Sequence, residues 1–226
     1  MPEKFVFPNA GIEEFRSTLL TWYKNNGRKF PWRKNKLTRY QIIIAEILLQ
    51  RTKAETVSNF FQNFIIDFPN WDSLVIADNQ AIEFYLKPIG LYRQRAQRLR
   101  SLATEMVRRK GKIPSERKEI ESIPFFGQYI SNAIELIIFK RHTPLLDVNM
   151  SRLLERYFGE RHLADIRHDP YLQKLSFMVV DHTKAKEINW AILDFAALIC
   201  KARKPICNEC ILSIKCKFYS ELRSKP

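Results

Sequence analysis

The chain is short of glycine, acidic residues and cysteine, and each shortage excludes something. Glycine occurs 6 times in 226 residues, and no run alternates apolar and polar residues with the period of two that marks a half-buried strand. Low-complexity stretches and fixed-period repeats are also missing, which excludes a β-rich fold and a repeat array. No apolar run approaches the roughly 18 residues of a membrane-spanning helix; Ile42-Ile43-Ile44-Ala45 is interrupted at once by Glu46. Met1-Pro2-Glu3-Lys4 has no signal-peptide core, so an intracellular location is expected. Acidic residues number 24 against 38 Lys and Arg, a net charge of +14. That surplus favours a polyanion, and without a lipidation signal or an isolated basic amphipathic segment the expected partner is nucleic acid rather than membrane. A hydrophobic fraction of 46% excludes a disordered chain.

What is present is helical patterning nearly throughout. Ile12, Phe15, Leu19 and Trp22 form one stripe on a helix over 10–26 that Gly27 stops. Lys29-Phe30-Pro31-Trp32-Arg33 reads as an extended connector. Thr38 and Gln41 make a capping box opening a helix to about Thr52. Further helices are predicted over 54–67, from Asp78 to before Pro88, over 92–110, 116–122 and 128–140, from Asp147 onward, and over 170–180 and 185–200. The expected fold class is all-α.

Four features carry chemistry. All four cysteines lie in Cys200-x6-Cys207-x2-Cys210-x5-Cys216. A disulfide scaffold would spread them along a small secreted chain; four thiolates on one loop suit zinc or an iron–sulfur cluster, both thiophilic. Ile123-Pro124-Phe125-Phe126-Gly127-Gln128-Tyr129 forms a tight turn between two short helices. Backbone N–H groups at such a helix start, aided by the helix dipole, make a site for one DNA phosphate. Asp147 stands about twenty residues later at a predicted helix start, where Asp is a common N-cap. Glu46 is an ionisable group in an apolar helical stretch, so it faces water at an edge or lies in a site.

In their order, Phe30-Pro31-Trp32-Arg33, Ala45-Glu46-Ile47-Leu48-Leu49-Gln50-Arg51-Thr52, the hairpin, Asp147, Asp194-Phe195-Ala196-Ala197-Leu198-Ile199-Cys200 and the cysteine loop resemble the endonuclease III superfamily of helix–hairpin–helix DNA glycosylases. The resemblance covers about residues 10–220. Within the superfamily it is nearest to the mismatch-specific thymine glycosylases, with MutY-type adenine glycosylases as relatives.

The resemblance implies two helical lobes with DNA across a cleft: a six-helix module over 28–142 carrying the hairpin, and a second lobe of 1–27 with 143–226 carrying a [4Fe-4S] loop. It implies Cys200, Cys207, Cys210 and Cys216 as cluster ligands. Asp147 corresponds to the catalytic carboxylate, which stabilises an oxocarbenium-like sugar and directs water. Tyr129 stands where bifunctional relatives carry a Schiff-base lysine, implying a monofunctional enzyme. Glu46 matches the purine-protonating Glu of adenine-type relatives, or hydrogen-bonds a flipped pyrimidine. Gln50 and Arg51 would fill the gap left by the flipped base and contact the orphan partner, an Arg being able to donate twice to guanine. Pro124, Phe126, Gly127 and Gln128 would meet a phosphate, or a monovalent cation, at the hairpin. The family hairpin has Gly where this chain has Phe125, whose Cβ would alter the turn or cover an N–H. Ten Lys and Arg against two acidic residues over 93–118 supply a phosphate track with steep salt dependence.

The expected function is removal of thymine or uracil opposite guanine from duplex DNA by a monomer. The chain ends ten residues after Cys216, whereas adenine-type enzymes generally add a domain for 8-oxoguanine. The alternatives are a glycosylase for mismatched adenine or another modified base, and a non-catalytic DNA-binding module with a structural cluster.

Overall fold

The computed structural model describes Phe5 and residues 7–224; the N-terminal residues read above for location lie outside that range. The described residues contain helices and no strand, and no helix among them is long and apolar enough to cross a membrane. By compactness the chain divides in two, one unit running from Lys29 to Phe139 and the other joining the residues up to Arg28 to those from Lys140 onward.

The first unit holds α2 (Arg39–Leu49), α3 (Ala54–Asp67), α4 (Trp71–Ile76), α5 (Asn79–Leu86), α6 (Tyr92–Arg108), α7 (Arg117–Glu121) and α8 (Gln128–Ile137). The predicted capping box is formed: Gln41 N–H donates to Thr38 Oγ1, and Thr38 N–H to Gln41 Oε1. Sequence reading missed α4, although Asn70 and Ser73 cap it reciprocally. Its six residues are too few to show a helical period. Helices α4 and α5 pack on α6, while α2 packs on α3 and α8. The core between them is aromatic, with Tyr40 edge-on to Trp71 and Trp32 edge-on to Phe61. Lys29–Arg33 is not an extended connector: Pro31–Arg33 form a 3-10 turn, with Phe30 and Trp32 stacked at 4.9 Å. Burial of both rings pulls the segment in.

The second unit holds α1 (Asn9–Asn26), α9 (Val148–Phe158), α10 (Pro170–Val180), α11 (Ala185–Leu198) and α12 (Lys217–Ser224). Its core centres on α11, against which α1, α9 and α10 pack. Phe15, Leu19, Leu154, Leu175 and Phe195 are fully buried there, each such side chain stabilising the fold by roughly 1.5–3 kcal/mol. Asp194 is buried in this core and accepts from Arg28 twice, from its backbone N–H at 2.8 Å and its Nε at 2.7 Å. The pair is therefore structural. Helix α12 was also not foreseen.

Candidate active site and cysteine loop

The unit from Lys29 to Phe139 brings two of the expected catalytic residues together. Glu46 lies among Ile43, Ile44, Ala45 and Leu48 of α2 and is itself buried. The Tyr129 hydroxyl, carried by α8, donates to the Glu46 carboxylate, and the Arg33 guanidinium attracts it. Arg33 is aimed by the 3-10 turn and lies 5.2 Å from the Phe30 ring centroid. Glu46 Oε2 has no hydrogen-bond partner among the described residues. Burial outweighs Arg33 and Tyr129, so the carboxyl is pushed up to about 7. Near neutrality this group can be a proton donor in one form and an acceptor in the other.

The hairpin between α7 and α8 is held from beneath by Arg117. Its Nη1 donates to Asn132 Oδ1 at 2.6 Å and to Glu135 Oε2 at 2.5 Å, and its Nε to Glu121. Phe125, in place of a family glycine, takes the left-handed conformation with φ +70°. That costs roughly 1–2 kcal/mol for a residue with a Cβ. The ring is 43% exposed and lies beneath the Arg98 guanidinium, 5.6 Å from centroid to Cζ. Pro124 and Gly127 are exposed and Gln128 half-buried. Phe126 departs from expectation: its ring is buried and its N–H donates to the Ile123 carbonyl at 3.1 Å. It therefore serves the core and is not a phosphate contact. No described atom lies within 4 Å of where a Cβ on Gly127 would stand, so the backbone there is open to approach.

Gln50 and Arg51 are exposed at the end of α2, which stops at Leu49 rather than continuing to Thr52 because Arg51 turns left-handed with φ +56°. Leu91, also left-handed with φ +49°, precedes α6 with 69% of its surface exposed. Sequence reading missed it; the available signal was an apolar residue directly after Gly90 at a helix start. Of the basic stretch, Arg100 is occupied with Asn79 and the Val75 carbonyl, Arg108 and Arg109 with Glu105, and Arg117 with the hairpin. Arg93, Arg98, Lys110, Lys112 and Lys118 remain exposed.

In the other unit Asp147 is half-buried and caps α9. Its Oδ1 accepts from the N–H groups of Asn149 at 2.9 Å and Met150 at 2.8 Å, while Oδ2 accepts from Asn149 Nδ2 at 2.8 Å. Burial raises its pKa, opposed by those N–H donors and by the charge of Arg152. Arg152 continues the chain of contacts: Nη2 donates to Asn149 Oδ1 and to the Ala196 carbonyl, and Nε to the Cys200 carbonyl at 2.9 Å. One turn on, Arg156 donates to the carbonyls of Lys201 and Ala202 and to Cys200 Sγ at 3.4 Å. Helix α9 thus presents Asp147 at its start and fastens the cysteine loop along its length. Arg152 had no assigned role in the sequence reading, because its carbonyl partners at Ala196 and Cys200 lie more than forty residues away; Asn149, whose partners Asp147 and Arg152 are local, was passed over as well.

The four cysteines are unpaired and line one solvent-open pocket. Among the described residues no group of three or more His, Cys, Asp or Glu is placed to hold a single metal ion. N–H groups point at two of the sulfurs, from Leu212 to Cys210 and from Tyr219 and Phe218 to Cys216. Burial pushes the Cys210 thiol up to about 11. Four cysteines lining one pocket, with N–H donors aimed at two of the sulfurs, suit a thiophilic metal centre.

A family model described as "HhH-GPD superfamily base excision DNA repair protein" matches residues 44–169, a span that includes Glu46, the hairpin and Asp147. The chain belongs to the HhH-GPD superfamily. It is similar to the thymine-DNA glycosylase of Aeropyrum pernix, 36% identical over 214 residues, covering 92% of this chain and 96% of that one. The thymine/uracil-DNA glycosylase of Methanothermobacter thermautotrophicus is 33% identical, covering 94% of this chain and 96% of that one. Among solved structures, a thermostable thymine-DNA glycosylase superposes with a TM-score of 0.85 at 32% identity, over 94% of this chain and 98% of that one. Within the HhH-GPD match lie both carboxylates, Tyr129 and the hairpin; the cysteine loop lies C-terminal to it.

Proposed function

We propose that this HhH-GPD protein is a monofunctional DNA glycosylase that removes thymine or uracil opposite guanine. The observation that carries the reading is the Tyr129 hydroxyl bonded to the buried Glu46 carboxyl beside Arg33. It supports a reading in which Glu46 is a tunable proton donor and a phenol stands in for the amine that strand cleavage would need. The names of the relatives at 33–36% identity support the substrate.

The reaction is hydrolysis. The C1′–N1 bond breaks with its electrons leaving on the base, and water oxygen adds to C1′. Protonated Glu46 would hydrogen-bond a carbonyl of the flipped pyrimidine and ease its departure. Ionised Asp147, held in one rotamer by three N–H bonds, would stabilise the positive sugar and accept the water proton. A tyrosine hydroxyl cannot form a Schiff base, so the abasic product would leave with its strand intact. Gln50, Arg51 and Leu91 would enter the stack vacated by the base, apolar wedges being the usual means of holding a kinked step. Gly127 and Gln128 would meet a phosphate, or a monovalent cation that bridges to one, at the hairpin. The protein would act as a monomer.

Cys200, Cys207, Cys210 and Cys216 would hold a [4Fe-4S] cluster. When bound, its iron–thiolate bonds cross-link the loop; the chain's own part is to keep the sulfurs around one pocket and to anchor the loop through Arg152 and Arg156.

A single-turnover assay with protein in excess over G·T, G·U, A·T, G·A and 8-oxoguanine·A duplexes tests the proposal. Alkali-dependent cleavage at T or U opposite G, with A·T spared, is the expected result. Cleavage only at adenine or at none of the duplexes would overturn the substrate, and cleavage without alkali the monofunctional reading.

A further inference from the structure

Among the left-handed residues of the unit from Lys29 to Phe139, Arg51 and Leu91 both present exposed side chains at a helix end. Arg51 has φ +56° and Leu91 φ +49°. Each backbone is less favourable by roughly 1–2 kcal/mol than an ordinary one, so each turn needs something to hold it. Thr52 N–H reaches back to the Leu49 carbonyl and Thr52 Oγ1 to the Gln50 carbonyl, but both contacts lie within the turn.

Arg95 supplies the connection from outside. Its Nη2 donates to the Gln50 carbonyl at 3.0 Å and to Thr52 Oγ1 at 3.3 Å, one acceptor on each side of Arg51. Its own backbone N–H donates to the Leu91 carbonyl at 3.0 Å, closing the first turn of α6. One residue therefore ties the Arg51 turn to the Leu91 turn. It does so against charge: Arg95 is half-buried, and burial together with the neighbouring Arg98 and Arg51 disfavours its protonated form. A guanidinium held in place beside two others is a costly arrangement for mere surface decoration.

We propose that Arg95 is a positioning residue that locks the Gln50–Arg51–Thr52 turn and sets its spacing from Leu91, so that mismatch recognition depends on it although it reads no base itself. The functional half of this proposal rests on the glycosylase reading above; the structural half does not.

The test uses the full chain with Arg95→Met, which keeps much of the stem and removes the donors, and Arg95→Lys, which keeps the charge but cannot reproduce the guanidinium geometry. Amide hydrogen exchange reads the lock directly. Exchange at Arg51, Thr52 and Lys53 should accelerate about tenfold or more in Arg95→Met, while Leu102, Ala103 and Met106 of α6 stay within about twofold of wild type. Unchanged exchange in the turn would overturn the proposal whatever the protein binds. Binding to G·T and matched A·T duplexes reads the consequence. Arg95→Met should lose about tenfold on the mismatch and less than about threefold on the matched duplex, with Arg95→Lys between wild type and Met. Equal losses on both duplexes would make Arg95 a phosphate contact and overturn its positioning role. Wild type that binds both duplexes alike would count against the substrate reading alone, and the exchange result would still decide the lock.

Discussion

Glu46 and Asp147 carry the same functional group, and burial raises the pKa of both. Their surroundings differ because their places in a helix differ. Glu46 sits in the third turn of α2, where every neighbouring backbone N–H is already committed to the helix, so only side chains can serve it: Tyr129, and the charge of Arg33. One oxygen has no hydrogen-bond partner among the described residues. Asp147 sits at a helix start, where the first N–H groups have no partner within the helix, and three N–H donors converge on it. Position thus leaves one carboxyl served by side chains alone and holds the other in a fixed orientation by N–H donors.

Removing the charge at Asp147 should break the comparison most visibly. Asp147→Asn keeps an oxygen to accept the cap bonds, so the thermal midpoint should change little while base release falls by on the order of 10²–10⁴-fold. Parallel loss of folding and activity would reduce Asp147 to a cap. Next is the loop that braces its helix. Cys207→Ser should remove iron and visible absorbance and, because Arg152 joins the Cys200 carbonyl to Asn149, slow base release even when DNA is saturating. Wild-type protein carrying stoichiometric zinc and no iron would contradict the cluster.

Glu46→Gln sharpens the other side. Burial pushes the Glu46 carboxyl from its ordinary 4.5 up to about 7. Below the unfolded value both states are protonated, and no penalty applies. Between the two values the unfolded chain ionises and the native one does not, so this site's contribution to stability is lost as pH rises to about 7. Glu46→Gln should therefore be more stable than wild type by about 3 kcal/mol at pH 8, and denaturant midpoints that converge near pH 4 would confirm the origin. Base release that needs the protonated form should decline through pH 7 in wild type, and this limb should be missing in Glu46→Gln. The smallest effect is expected at the hairpin. Phe125→Gly relieves the left-handed strain but loosens the unfolded chain, so stability should shift by less than about 1 kcal/mol. If the Phe125 ring limits access to the turn, DNA affinity should rise; unchanged affinity would leave the ring neutral.

Much of this was legible beforehand where the pattern is local. The stripe of α1, the Thr38–Gln41 box, the single-loop cysteines and the Asp at the start of α9 all depend on residues within a few positions of each other. Distant partners were not legible. Arg152 reaches Cys200 across 48 residues and Arg95 reaches Gln50 across 45. Phe126 was misread because nothing adjacent in sequence says which of two successive phenylalanines turns into the core; the structure buries Phe126 and leaves Phe125 outside under Arg98.

By itself the sequence determined an all-helical chain, a basic surface suited to a polyanion, and one loop of four thiols. These follow from periodicity, net charge and short-range spacing. Tertiary structure alone decided that Tyr129 meets Glu46, that this carboxyl is buried deeply enough to hold a proton near neutrality, and that Arg95 binds the turn around Arg51. Packing decides such contacts by joining helices far apart in the chain, and it sets the desolvation that governs a buried charge.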